Sequence, residues 1–497
     1  MLNQTSIIII YTPYRRFSYM RNAFILFLTI FAGIGLISTS CINDAISSSP
    51  NDILSFSRDT VAFDTVFTDV GTPTARLVVA NRAKKGINIS SIRLRNPESN
   101  FSINVDGVSA KSFQNVEIWS EDSIYIFIEC FMPRTEDNTP YRVEDELEFI
   151  TNGVTQTVLL EAYGQNMVRL QNIRITEDTR FTADRPYVVF DSLVVEQGVT
   201  LHIEPATQLL FHDKAELIVH GTIEACGDVN KLIQMRGDRL DEVLPNIGYD
   251  ILSGQWRGIR ICRESFDNKM SYVDMRSTVN GLQLDSCGDL SRQKLTLTNS
   301  WLHNSEGRVF TAPYCKVDAY GVCFSEAANA VVCLTGGIYE FNQCTIANNY
   351  LFAAISEPML SLYHLLDNDT RDPNNPNPLM VANFRNSIIY GIGTDINEGI
   401  LDDSNVYIYN VSFKSPGEDD EHFIDCLWDC NPLFLTDRPA YYFNYRVRPD
   451  SPVVGAGNPL FVTPQTLTDI DGNNRLTVTA DGNPLLGAYA NPAEIEE

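Results

Sequence analysis

The chain has no apolar run of the roughly 20 residues that a bilayer-spanning helix needs; the apolar block at 24–37 stops after 14. It contains no HExxH sequence, no glycine-rich phosphate loop and no Ser-His-Asp order, so the usual marks of a zinc peptidase, a nucleotide binder or a serine hydrolase are missing. Basic residues are few. Against 63 Asp and Glu stand 37 Lys and Arg, a formal charge of -26, and an acidic body of this kind repels nucleic-acid phosphate and anionic lipid heads. Nucleic acid is a poor candidate partner. What is present is ordinary globular composition, 44% hydrophobic and 20% charged, which argues against wholesale disorder and against a multi-span membrane protein. At roughly 100 to 200 residues per domain, 497 residues predict two to four domains.

Arg15, Arg16 and Arg21 precede the apolar block, and Ser38, Thr39 and Ser40 follow it. That is the anatomy of a secretory signal peptide over 1–40, with Met1 or Met20 as its start. Ile37-Ser38-Thr39-Ser40-Cys41 resembles a bacterial lipobox, with Ser38 standing where such motifs usually carry Leu. The resemblance implies that Cys41 is diacylated, becomes the mature N-terminus and anchors the protein to the outer membrane, with the cell surface as the expected side. Each buried acyl methylene contributes about 0.8 kcal/mol to such an anchor. The alternative is plain cleavage with a free thiol. Removing 1–40 takes away three Arg and no acid, leaving 457 residues at -29. A tether over 41–54 then carries the fold away from the anchor.

Ten cysteines follow: Cys130, Cys226, Cys262, Cys287, Cys315, Cys323, Cys333, Cys344, Cys426 and Cys430. Export permits disulfides. Most of these thiols nevertheless lie in apolar strand-like runs, such as IYIFIECF around Cys130 and AVVCL around Cys333, where a thiol packs as a small hydrophobe. Burial is therefore expected for them. Cys426 and Cys430 flank Trp428 in an acidic loop and are spaced to pair locally. Zinc would need a second such pair or more His than the nearby His422.

Between 55 and 165 apolar and polar residues alternate in short runs at 60–67, 76–80, 87–94, 101–105, 123–130, 144–150 and 155–162. Seven short strands separated by turn residues predict a β-sandwich. No Cys pair frames a Trp, which excludes an antibody-type domain. The succession Leu77-Val78-Val79-Ala80-Asn81, Ile89-Ser90-Ser91-Ile92, Phe101-Ser102-Ile103, Phe131-Met132-Pro133 and Val158 to Gly164 resembles the ASH-type immunoglobulin-like domains, which commonly serve as spacers or interaction modules.

Past Gly164 the pattern changes to four-residue apolar segments that start at 193, 200, 208, 216, 222 and 232. Taken three at a time they repeat after 23, 22 and 24 residues, the period of a solenoid with three short strands per coil. Asn299, Asn342, Asn386 and Asn410 recur ahead of alternating runs at near multiples of that period. Asn tolerates left-handed backbone and bonds its own turn, so these predict stacked corners. Allowing insertions at 241–255 and 368–378, residues 166–445 hold roughly ten coils stacked about 4.8 Å apart. Gln255-Trp256-Arg257-Gly258-Ile259 and Ser271-Tyr272-Val273 resemble elements of bacterial right-handed parallel β-helix proteins of the pectin-lyase-like fold. The stretches 450–457, 469–475 and 486–489 are similar to the end segment of exported β-helix proteins. The resemblance implies that 446–497 caps the last coil, whose sheet edge is otherwise open. The expected fold class is thus all-β: an immunoglobulin-like sandwich, then a right-handed parallel β-helix.

Enzymes of that fold cleave polysaccharides with clustered carboxylates, often with calcium, or with a basic residue, but the fold alone confers no activity. The catalytic candidates are Asp402, Asp403, Asp425 and Asp429, within eight acids between 402 and 429 opposed only by Lys414; a solvated acidic loop is the competing reading. Asp469, Asp471 and Asn473 alternate like calcium ligands, without the Glu at the twelfth position of such loops. His202, His212 and His220 are spaced too irregularly for a metal stripe. Trp256, Trp428 and Tyr442 are candidates for stacking on sugar rings, with Trp301, Tyr441 and Tyr445 near the same predicted corners or the C-terminal region; packing in the core or the cap is the competing reading. The leading expectation is a lipid-anchored outer-membrane protein whose β-helix binds glycan or a partner envelope protein. The alternative is a polysaccharide lyase or glycoside hydrolase that uses carboxylates on the β-helix face.

Overall fold

The computed structural model describes residues 45–493 except 137, 245, 364–380, 398–400, 402–404 and 478. The leader, Cys41, the expected insertion at 368–378 and both Asp402 and Asp403 lie outside the described residues. Among the described residues the regular structure is all β, with 3-10 turns of three residues and no α-helix. Two compact units form: one takes residues up to 62, 72–130 and 144–161, the other 63–71, 131–143 and 162 onward.

The strands between 54 and 165 make two sheets whose described pairs are antiparallel. One orders Leu54–Phe56, Ala75–Asn81, Ser123–Cys130, Phe101–Val105 and Val108–Ala110; the other orders Thr60–Phe67, Val154–Gln165, Tyr141–Thr151, Ile87–Leu94 and Ser112–Phe113. Alternation decides which side chains are buried. Along Ser123–Cys130 the side chains of Ile126, Ile128 and Cys130 are buried while Tyr125, Phe127 and Glu129 are exposed, as in a sheet with one wet face. Phe56 of one sheet meets Phe149 of the other with ring centres 4.8 Å apart.

From 168 onward the described ladders are parallel, apart from the short antiparallel pair of Glu242–Leu244 with Ile247–Gly248. Leu193 pairs with Leu217, Thr200 with Thr222 and Gln208 with Gln234, offsets of 24, 22 and 26 residues. The strands sort into three faces, numbered here in chain order. Tyr187–Val195 serves two faces, its second half pairing with Glu216–Val219 on the first and its first half with Gln208–Phe211 on the third, and Val168–Ile175 pairs with both halves from the other side. The second face is a ten-stranded sheet from Thr179–Phe181 to Phe423–Ile424. Long parallel sheets in this register are compatible with a β-helix solenoid. Inward side chains stack coil on coil, as in the third-face column Leu209, Met235, Met275, Leu302, Phe324, Ile346, Ile389 and Phe413, every member of it buried.

The corner leading into the third face is left-handed in coil after coil: Tyr272, Asn299, Gly321, Gln343, Asn386 and Asn410 have φ between 44° and 66°. Asn299, Asn386 and Asn410 sit where expected, whereas Asn342 is the last residue of its strand and Gln343 turns the corner. The segment expected to cover the end of the stack lies along its side instead. Asn299 donates to the Thr468 carbonyl at 3.3 Å, Asn386 to that of Asn458 at 2.9 Å, and Arg475 to those of Gly487 and Ala488 at 3.0 and 2.6 Å. Its attachments to corner residues 299 and 386 explain why it runs lengthwise. At the last coil, Trp428 stacks on Phe413 with ring centres 4.9 Å apart.

Candidate functional site

On the third face, strand alternation turns Met275, Leu302 and Phe324 inward. It leaves Asp274, Arg276, Trp301, His303, Cys323 and Ser325 on the outer side of Val273–Thr278, Trp301–Ser305 and Cys323–Ala327. Over this floor lies a groove of about 600 Å³, walled first by Asn246, Ile247, Gly248, Asp250 and Ile251 and then by 350–352, 440–446 and Tyr489. The first wall belongs to the expected insertion at 241–255. It is held by the Asp250 carbonyl, which accepts from Ser277 Oγ at 2.7 Å and from Asn304 Nδ2 at 2.8 Å. Ser277, Asn304 and Glu326 occupy equivalent left-handed corners at φ 66°, 57° and 53°.

The floor is a network of paired charges. The Asp250 carboxylate accepts from Arg276 Nε at 2.8 Å and lies 3.2 Å from Arg236 Nη1. Asp274 binds Arg276 and meets His303 Nε2 at 3.0 Å. Burial by itself would raise Asp274, but the Arg276 guanidinium and His303 outweigh it and hold the carboxyl well below its usual range. Burial, followed by the neighbouring Arg276, lowers Arg236. Arg446 is paired with Asp471 at 2.6 Å and lies over the Tyr489 ring. Trp301 Nε1 donates to Tyr489 Oη at 2.8 Å.

Glu326 is the exception. Its carboxyl is buried and accepts from the Tyr445 hydroxyl, and burial pushes its pKa up to about 8. It is therefore a neutral acid at pH 7, able to give a proton or a hydrogen bond.

Of the residues singled out from sequence, Tyr442, Tyr441, Tyr445 and Trp301 line this groove. Trp256 does not: it is fully buried, stacked on Phe211 at 3.9 Å with its Nε1 donating to the Arg276 carbonyl at 2.8 Å. Trp428 packs on Phe413 and Phe423 with its Nε1 on Asp419. Both indoles serve the apolar core, which attracts so large a ring more strongly than solvent does. Asp425 and Asp429 are exposed and line no part of the groove; neighbouring acids repel one another and stay hydrated.

The calcium candidates are occupied by the protein's own donors. Asp469 is fully buried and accepts from the Asp471, Asn473 and Ala490 amides at 3.0, 2.7 and 2.7 Å, while Asp471 pairs with Arg446. This carboxylate organises a turn and does not fit a calcium ligand set. His202, His212 and His220 each face a carboxylate of their own, Glu224, Asp238 and Glu264. Of the ten cysteines, Cys226 is exposed, Cys426 half-buried and the others buried. Cys426 packs on the solenoid core and Cys430 with Val447 and Val453, so the two serve different clusters. Glu326, Asp274, Arg276 and His303 were not singled out from sequence. Their signal is their shared outward register, visible only once the coils are aligned.

No family model and no curated protein matches the chain. Among solved structures it is similar to a protein of unknown function from Porphyromonas gingivalis, 11% identical over 25% of this chain and 60% of that one, with a TM-score of 0.18. It is also similar to a family 123 glycoside hydrolase from Clostridium perfringens, 10% identical over 23% of this chain and 26% of that one, with a TM-score of 0.16. The matched part is less than two thirds of either chain, and at these TM-scores neither likeness bears on fold or site.

Proposed function

We propose that this is an exported protein, anchored to the outer membrane through Cys41 and facing the cell surface. In this reading an immunoglobulin-like sandwich carries a right-handed parallel β-helix whose third face binds a neutral glycan. The observation that carries the reading is the groove, where Trp301, Phe352, Tyr441 and Tyr442 offer apolar ring faces around a floor of hydrogen-bonding groups. Sugars present the same mixture of apolar ring faces and hydroxyl edges. Neutral rather than uronate glycan follows from charge: Arg236 and Arg276 balance Asp250 and Asp274, Arg446 balances Asp471, and Glu326 is protonated at pH 7. Among the described residues that line the groove, no cation is left without a carboxylate partner to hold an acidic sugar.

Affinity electrophoresis through gels containing galactomannan, xyloglucan, xylan, polygalacturonate or alginate tests this. Retardation is expected in at least one neutral gel, and Trp301→Ala should weaken it about 10-fold or more, the loss of one well-buried stacking contact. Retardation only by the uronates, or by none, refutes the reading. A second reading, glycoside cleavage, is favoured by Glu326, a carboxylic acid with the protonation state of a general acid. It requires that reducing ends appear with these polymers and that Glu326→Gln abolishes their release.

A further inference from the structure

Two cysteines outside the groove lie in register on successive coils. On the first face Leu282 pairs with Phe310 and Gln283 with Thr311, an offset of 28 residues; the same offset carried past the strand ends sets Cys287 beside Cys315. Their contacts agree. The Cys287 amide donates to the Tyr314 carbonyl at 3.2 Å, and Cys287 Sγ lies 3.2 Å from the same oxygen. Cys315 Sγ lies 3.4 Å from the Asp285 carbonyl, on the neighbouring coil, and 3.0 Å from that of Pro313. Each thiol perturbs the titration of the other, and both residues are fully buried. Neighbouring parallel strands run about 4.8 Å apart, inside the range of about 4.4–6.8 Å between Cα atoms that a disulfide spans. Coil stacking by itself therefore brings this pair within bonding reach.

We propose that Cys287 and Cys315 form a disulfide that staples two consecutive coils of the solenoid in the exported protein. The reduced pair is electrically awkward. The neighbouring Cys315, opposed by burial and assisted by the Asp289 backbone and the Lys294 ammonium, lowers the Cys287 thiol, while burial raises that of Cys315, so the reduced pair sets two polar, mutually perturbed thiols in one sealed corner. Oxidation replaces it with a neutral, apolar bridge. Lys294 keeps its place on the carbonyls of Cys262 and Arg263.

The oxidant is a thiol-disulfide oxidase of the exported compartment. One cysteine, as thiolate, attacks the oxidase disulfide, whose second sulfur leaves as a thiolate. The other cysteine then displaces the oxidase from the mixed disulfide. Two protons and two electrons pass from the pair to the oxidase, which ends as a dithiol. Because both sulfurs are sealed in the folded solenoid, the bond closes before these coils finish stacking.

The inference rests on export for its oxidising surroundings, so the test supplies export independently. The mature chain is secreted behind an unrelated leader, purified without thiols, unfolded in denaturant with iodoacetamide, digested and mapped by mass spectrometry. The expected product is a cross-linked peptide joining 287 to 315, two hydrogens lighter than its separate halves and lost on prior reduction. Alkylation of both cysteines without a reductant overturns the proposal. In Cys287→Ser, Cys315 should become alkylated. Reductant should lower the Tm of the wild type and leave that of the folded Cys287→Ala/Cys315→Ala variant unchanged; an equal drop in both also overturns it.

Discussion

Replacing Glu326 with Gln keeps the shape of the side chain and its acceptor for the Tyr445 hydroxyl while removing the ionisable proton. In the unfolded chain the carboxyl ionises near its ordinary 4.5; in the fold burial raises it to about 8. Between those values the unfolded state has shed a proton that the folded state retains. Stability therefore falls as pH rises through this window, by about 1.4 kcal/mol per unit. Below pH 4.5 both states are protonated and nothing is lost, and above pH 8 the loss is complete at roughly 5 kcal/mol. Among the described residues Glu326 has no charged partner to offset this; its other contacts are Ser325 and the Asn349 backbone. The variant has no such window. Urea unfolding followed by tryptophan fluorescence at pH 5, 6.5 and 8 should show the two proteins close together at pH 5 and the variant increasingly the more stable at higher pH. Equal pH dependence in both would refute a protonated Glu326. The charged groups nearby, Asp274, His303 and the Arg446–Asp471 pair, are the same in both proteins and cancel in the difference.

Trp256→Ala empties the space against Phe211 and leaves the Arg276 carbonyl without its indole donor. It should cost about 3–5 kcal/mol, read as a lower urea midpoint, and a loss below 1 kcal/mol would contradict a core role. Asp469→Ala strips the acceptor from three backbone amides, at about 1–3 kcal/mol for each donor left buried. Its C-terminal segment should become the first site of limited proteolysis, while added calcium leaves the wild-type Tm unchanged. A calcium-dependent rise in Tm would restore Asp469 as a ligand.

Period was the legible part. Thr60–Phe67, Ile87–Leu94, Phe101–Val105 and Ser123–Cys130 match the expected strands to the residue, because alternation over five to eight residues has one good burial solution. Val108–Ala110, Ser112–Phe113 and Val116–Ile118 are too short to carry a period, and pairing with their neighbours makes them strands. Trp256 stayed open between core packing and sugar stacking because a ring at a corner looks the same in sequence whether it points in or out. Only the stack with Phe211, 45 residues earlier in the chain, decides. The groove was the least legible part, since its lining runs from Asn246 to Tyr489 and no local window contains it.

Placing the site on the third face gains support from where the fold accepts cost. Elsewhere on the solenoid, ion pairs such as Arg174–Glu196 and Arg180–Glu204 keep their arginines 66% and 62% exposed, a cheap way to cover a sheet with charge. Over the groove floor the same residue types are covered, Arg236 to 11% and Arg276 to 14% exposure, so both pay desolvation that surface pairs avoid. One corner further on, Glu326 combines a left-handed backbone with a buried carboxyl that is held by the Tyr445 hydroxyl instead of a cation. A solenoid selected for stability alone gains nothing from either, since Asn or Gly would turn that corner with less strain. Desolvated charge, backbone strain and a displaced pKa coincide on adjacent coils beneath aromatic walls. The proposed binding surface would account for that coincidence, because groups fixed before a ligand arrives lose little order when it does.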